Sequence, residues 1–280
     1  MFDLNLLDTE RDRDGFITLK RSYSNLYKKT MYIAPLTVVY NRVYEYDIKS
    51  AGFTMLQRAG VLSRKTIKVL ESTDKKTRNV TIGNMIKRDK KLQTIINNGI
   101  LEAREMLFRE NGIQDIDVQA IRKDAIFIIG RKLRVTQFGE FIEFRLKGQY
   151  SMYMKIDKIE FYYDRRSNRV DVKGISDDVI EEPDHQEGMI EFFRQVFRFL
   201  VMDQRDRLRQ YLIQFAHDYK SFNLPHQYYR ELSRENIYRT KMEISGFDYN
   251  LTQAGDSDFD IINPVYNYRR FVLPIIQMYI

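Results

Sequence analysis

Two aspartates stand where a strand-forming run gives way to polar residues. In 44-YEYDIKSAGFTML-56, Asp47 ends a β-rich stretch and precedes a small-residue turn and an apolar helix start. In 118-VQAIRKDAIFIIGRKL-133, apolar β-formers surround the interruption Arg122-Lys123-Asp124, so two short strands meeting at a tight turn would lift Asp124 to a hairpin tip. Taken singly, each aspartate also fits a turn cap at a strand end, a common use of Asp. Taken together at the edge of one sheet, two carboxylates can hold a divalent metal pair about 3.5–4 Å apart, which aligns an attacking hydroxyl with a phosphoryl group and neutralises its charge.

Composition narrows the chemistry further. The 280-residue chain has no cysteine, which excludes disulfides, thiol nucleophiles and Cys-based zinc sites. His185, His217 and His226 lie apart without zinc-ligand spacing. A metal here would therefore sit on carboxylates, which points to Mg2+ or Mn2+. The net charge of +7 favours polyanionic partners, nucleic acid first among them. The most apolar run, 189-MIEFFRQVFRFLVMD-203, is interrupted by Glu191, Arg194 and Arg198, so no membrane span is expected. The N-terminus lacks the basic-then-apolar order of a signal peptide, and the expected location is cytoplasmic, in the host cell if the chain is viral.

The elements that must position the two aspartates follow from periodicity. Residues 31–48 are rich in β-branched and aromatic types, and 51–60 reads as a short helix ending at Gly60. From 61 to 117 the chain is helical and basic, a pair of helices with a basic exposed face. That face is either a solvated surface or a phosphate contact whose binding weakens steeply with salt. Strand patterns resume in 141–147, 150–156, 159–164 and 169–175; after Pro183 the pattern is helical, with 189–220 forming one long helix or two shorter ones. The tail is read as loop-rich, and its acidic 256-DSDFDI-261 as a flexible loop without EF-hand spacing.

This arrangement resembles the palm of nucleic-acid polymerases, most like a compact, divergent member of the B family of DNA polymerases of phage or mobile-element type. The family's first metal motif reads roughly Asp-x-x-Ser-Leu-Tyr-Pro-Ser after a strand, and 47-DIKSAGFT-54 keeps Asp47, Ser50 and a hydroxyl at Thr54. Its second motif reads Tyr-x-Asp-Thr-Asp-Ser-Ile-Phe, and 120-AIRKDAIF-127 keeps Asp124, Ile126 and Phe127, with Arg122 in place of the first acid. Downstream, 147-KGQYSMY-153 and 173-KGI-175 resemble the family's elements that contact primer and template.

The resemblance implies an α+β fold: a palm-like antiparallel sheet from 1–60 and 118–180, a helical fingers-like insertion at 61–117, and a thumb-like, mostly helical region at 181–280. It implies a template-directed nucleotidyltransferase, a small polymerase or primase-like enzyme in which Asp47 and Asp124 hold Mg2+ or Mn2+. Its partners would be nucleoside triphosphates, a nucleic-acid template and primer, and other replication or transcription proteins. Lys147, Tyr150 and Lys173 would contact primer and template. The fingers motif has no match, so the triphosphate contacts Arg78, Lys87, Lys90 and Lys91 are chosen by charge and position. The family's tyrosine that blocks the ribose 2′-hydroxyl aligns with Gly52, which implies tolerance of ribonucleotides. The alternatives are a catalytically inactive, polymerase-derived accessory protein and a nucleic-acid-binding or protein-recruiting module unrelated to polymerases.

Overall fold

The structure, a computed structural model, describes residues 9–11, 17–19, 23–232 and 264–280. The fold is α+β, and the chain divides into two compact units. One unit comprises Met1–Pro35 and Arg42–Gln149; the other comprises Leu36–Asn41 and Tyr150–Ile280. No helix among the described residues is long and apolar enough to cross a membrane.

In chain order the elements are β1 (Thr9–Arg11), β2 (Ile17–Leu19), β3 (Met31–Ile33), β4 (Val38–Val39), β5 (Val43–Ile48), α1 (Ala51–Arg58), α2 (Arg64–Ser72), α3 (Lys75–Arg88) and α4 (Lys91–Asn111). Then come β6 (Val118–Arg122), β7 (Ala125–Ile129), β8 (Gln137–Phe138), β9 (Ile142–Tyr150), β10 (Met152–Ile156), β11 (Ile159–Asp164) and β12 (Arg169–Lys173). The C-terminal part holds α5 (Asp177–Ile180), α6 (Pro183–Glu187), α7 (Met189–Val201), α8 (Arg205–Lys220), α9 (Pro264–Asn267) and α10 (Leu273–Tyr279).

The first unit is built on a sheet of order β3-β6-β7-β5-β9-β8. The pairs β3–β6, β6–β7, β5–β7 and β8–β9 run antiparallel. Alternation along β5 sends Tyr44, Tyr46 and Ile48 into the helical core, which leaves Glu45 and Asp47 on the opposite face. A register shift between Val118 and Ala120 lets both Val118 and Ile121 reach that core despite their odd spacing.

The stretch 61–117 holds three helices where the sequence suggests a pair. Asp74 explains the break: its carboxylate accepts from the Lys76 and Thr77 amides and caps α3. Gly112 ends α4 in the left-handed region (φ 56°), and the next amide, Ile113, closes back onto the Phe108 carbonyl at 2.9 Å. Helix α4 packs closely on α1. A Cβ built on Gly99 would stand 2.6 Å from Met55 Sδ, so glycine is needed there for proximity.

The strands expected to share one sheet over 118–180 belong to two. The second unit has its own sheet of order β12-β11-β10-β4, because only Ser151 separates β9 from β10 and β10 pairs with Val38 and Val39 instead. One face of this sheet, including Met154, Phe161, Tyr163 and Val172, packs with α7 and α8 in a single apolar core. Phe161 stacks on Phe193 at 3.9 Å and Tyr163 on Phe197 at 5.4 Å. Burial of each such side chain is worth about 1.5–3 kcal/mol.

The run 189–220 is two helices, broken where Asp203 takes φ 52°. The tail is helical where it is described, with π-helical spacing over Tyr268–Val272 just before Pro274, whose ring nitrogen has no hydrogen to give the ladder. The acidic segment 256–261 lies outside the described residues.

Candidate functional site: a two-carboxylate cleft

The β6–β7 hairpin turns through Lys123 and Asp124, with Arg122 paired to Ala125 across it. On its other edge β7 pairs with β5, and there Ala125 is the register partner of Asp47. Asp124, one residue before Ala125, is thereby brought beside Asp47, and each acts on the same cleft. They line a cavity of about 460 Å³ together with Lys75 and Asn79 of α3, and Arg145 and Lys147 of β9.

Electrostatics within the cleft follow from this crowding. Partial burial, a shared hydrogen bond with Asp124 and the repulsion of its charge push Asp47 up to about 6, while Lys147 and Lys75 pull the other way. Burial alone would lower Lys147, but Glu45, Asp47 and Asp124 outweigh it and hold the ammonium above the ordinary lysine range. Glu45, almost wholly buried two residues before Asp47 on the same strand face, contacts Lys147 Nζ at 3.1 Å. Glu143 contacts both Lys49 (3.1 Å) and Arg145 (3.4 Å). These outer pairs are exposed, so they restrain side chains more than they stabilise the fold.

Two arginines outside the lining fasten the segments around the cleft. Arg78 donates to the Leu70 carbonyl (2.8 Å), the Thr73 carbonyl (2.9 Å) and Ser50 Oγ (3.1 Å), and lies over the Phe53 ring. Ser50, in the left-handed region at φ 49°, precedes α1 in the cleft wall, so Arg78 ties the α2–α3 corner to that wall. Arg104 of α4 is 2% exposed; it donates to the Tyr27 carbonyl at 2.8 Å and to the carbonyls of Lys29 and Lys123.

The structure redistributes the residues expected from sequence. Asp47, Asp124, Lys147 and Gly52 all line the cleft. Arg78, expected on the triphosphate, has its guanidinium engaged with two backbone carbonyls and Ser50. Lys87, Lys90 and Lys91 are exposed and are not among the lining residues; Lys75, the first residue of α3, and Asn79, about one turn further on, are. A Cβ on Gly52 would make ordinary contacts with Ile82 (3.5 Å) and Ile96 (3.8 Å), so a side chain there starts towards the helices. The hydroxyls matched to the first motif are engaged within the fold: Thr54 Oγ1 donates to the Lys49 carbonyl at 2.7 Å, and Ser50 Oγ accepts from the Arg78 guanidinium.

Tyr150 and Lys173 belong to the second unit. Tyr150 is buried, with its hydroxyl donating to Asp171 at 2.9 Å, and Lys173 is the register partner of Glu160. Tyr153 is fully buried and donates to Glu160 at 2.9 Å.

The donor set suits a hard cation. Among the described residues no group of three or more His, Asp or Glu gathers to hold a metal by itself. Mg2+ characteristically takes one or two carboxylates and completes its shell with water and substrate phosphate. Two adjacent carboxylates, one of them with its pKa raised by burial and then by the other, are such a pair, and a cation between them would relieve their repulsion.

A comparison with curated proteins finds no match. A family model described as bacteriophage PBS1 gene 130 protein matches residues 20–280, nearly the whole chain, and the protein belongs to that family.

Proposed function

We propose that the chain is a template-directed nucleotidyltransferase, joining nucleotides from nucleoside triphosphates to a 3′-hydroxyl, and that its first unit is palm-like. The observation that carries the reading is the convergence of the β5 end and the β6–β7 turn, which sets Asp47 beside Asp124 in a cleft also lined by lysine and arginine.

Asp47 and Asp124 would hold Mg2+ or Mn2+, which when bound would orient the attacking hydroxyl and offset charge on the phosphoryl group. Lys75 and Arg145 supply positive charge for the polyphosphate, and Asn79 offers an uncharged donor beside them. Lys147, anchored by Glu45, holds its ammonium next to both carboxylates. Tolerance of ribonucleotides is part of the proposal, and it rests on Gly52, a residue of the cleft lining, standing where the resembled motif has its blocking tyrosine. Template and primer would be the macromolecular ligands, with other replication or transcription proteins as partners. The bacteriophage family is in keeping with work in the host cytoplasm.

Primer extension on a short labelled DNA or RNA template, with Mg2+ or Mn2+, tests this. Wild type is expected to extend and Asp124→Ala to lose at least about a thousandfold in rate, as removal of a metal-holding group implies. Lys75→Ala is expected to raise KM for the nucleotide about tenfold, the loss of one phosphate contact, with Lys87→Ala unchanged. Equal use of NTPs and dNTPs supports the reading of Gly52; strict preference for dNTPs refutes it.

One observation favours a second reading. Arg122 stands where the resembled motif has its first acid, and Lys147 and Lys75 already face the pair, as suits a non-catalytic accessory protein. Salt-sensitive template binding with no extension by wild type would select it.

A further inference from the structure

We propose that Arg104 is a positioning residue for the cleft: its buried guanidinium fastens the Lys123–Asp124 turn so that Asp124 is presented beside Asp47. The inference rests on the reading of that pair as metal-holding carboxylates, and it concerns a residue outside the cleft.

Two observations carry it. First, Arg104 takes no solvent-facing role, being 2% exposed, and its donors go to backbone carbonyls of two separate segments, Tyr27 and Lys29 on one side and Lys123 on the other. It therefore joins α4, the segment before β3 and the hairpin turn at one point. Second, the turn needs fastening. Lys123 is a non-glycine residue at φ 54°, a conformation that persists only where its surroundings over-determine it. Its amide donates to the Thr30 carbonyl at 2.9 Å and its carbonyl accepts from Arg104, so both polar atoms of its backbone are held from outside the hairpin.

A purely structural role for Arg104 predicts different behaviour, and a control on the same helix separates the two. Asn111 of α4 also fastens backbone, with Nδ2 donating to the Val135 carbonyl at 2.7 Å and Oδ1 accepting from the Arg134 and Val135 amides, but it does not touch the Asp124 turn. Arg104→Lys keeps the charge and gives up the forked reach to several carbonyls. It is preferred to Arg104→Met, which would leave buried carbonyls without donors.

The experiment compares full-length wild type, Arg104→Lys and Asn111→Ala by thermal unfolding, by Mn2+ titration followed by electron paramagnetic resonance, and by amide hydrogen exchange. The expected result is that Arg104→Lys weakens Mn2+ binding at least tenfold and speeds exchange at Lys123 and Ala125 at least tenfold. Asn111→Ala is expected to lower the melting temperature while leaving both unchanged. Arg104→Lys lowering the melting temperature with turn exchange and Mn2+ affinity at wild-type values would overturn the proposal. Should wild type bind no Mn2+, the metal reading of the pair falls by itself, and exchange at the turn alone decides the role of Arg104.

Discussion

Each unit of the molecule uses one deeply buried polar side chain as a stitch between chain segments, and the two stitches differ in charge. In the second unit Asn267, fully buried, donates to the carbonyls of Tyr228 (3.1 Å) and Arg230 (2.6 Å) and accepts from the Leu232 amide (3.0 Å). In the first, Arg104 donates to the carbonyls of Tyr27, Lys29 and Lys123. A neutral amide satisfies its partners with no ion to desolvate, whereas a buried guanidinium carries a penalty of several kcal/mol unless another charge answers it. Even the buried carboxylate of the second unit, Glu160, is answered by the hydroxyls of Tyr153 and Tyr162. The contrast is that the second unit stitches its segments with a neutral amide, whereas the first does so with a buried cation beside the turn that carries Asp124.

The largest effect that sharpens this contrast is on stability in the second unit. Asn267→Ala strands three backbone groups and is expected to destabilise the protein by about 3 kcal/mol, at roughly 1 kcal/mol or more for each group, read by urea unfolding. Its Mn2+ affinity should stay at the wild-type value. A loss of metal binding equal to that of Arg104→Lys would break the contrast.

A smaller effect belongs to the helix that carries Arg104. Gly99→Ala gains helix propensity of about 1 kcal/mol but overpacks Met55 by about 1–3 kcal/mol, so a net loss near 1 kcal/mol is expected. In a Met55→Ala background the loss should shrink, because the 2.6 Å approach is to Met55 Sδ. Simple additivity in the double variant would show that α1 and α4 yield to the added methyl.

The smallest effect is a pH slope. Asp47 is raised from 3.8 in the unfolded chain to about 6 in the fold, so the folded state binds the extra proton. Its contribution to stability is fully present below pH 3.8 and is lost as pH rises through 6. Asp47→Asn should remove that slope in chelator-treated protein and be more stable at pH 7 by about 1 kcal/mol, after discounting the shift for solvent screening. A slope unchanged by the substitution would place the shifted proton elsewhere.

The sequence made Asp47 and Asp124 legible because a carboxylate at the end of an apolar β run, or within a three-residue polar break, has few places to go. Their juxtaposition required the β5–β7 register, which no local pattern contains. Lys75 and Asn79 were missed for a physical reason: in a run dense with Lys and Arg, charge says nothing about which side chain a helix turns inward. Asp74, an aspartate before a basic helical start, was the available signal, since it fixes where α3 begins. Arg104 carried a signal too. It lies four residues after Ile100 and four before Phe108, inside the apolar stripe of α4, where a solvated arginine would be misplaced. The division of strands into two sheets was not legible, because β9 and β10 are almost continuous and the partner of β10 lies far back in the chain.

That distant partner bears on how the polypeptide is made. Leu36–Asn41 lie between two stretches of the first unit yet supply β4 to the second. A ribosome releases everything the first unit needs by Gln149, but Val38 and Val39 wait for Tyr153 and Met154 before they can pair. Loop-closure entropy grows only slowly with length, so the delay is one of timing more than of stability. A fragment ending at Gln149 would carry two valines with no strand to join, and one beginning at Tyr150 would leave β10 as a bare sheet edge. The boundary between the units is a place where the gene cannot be cut cleanly.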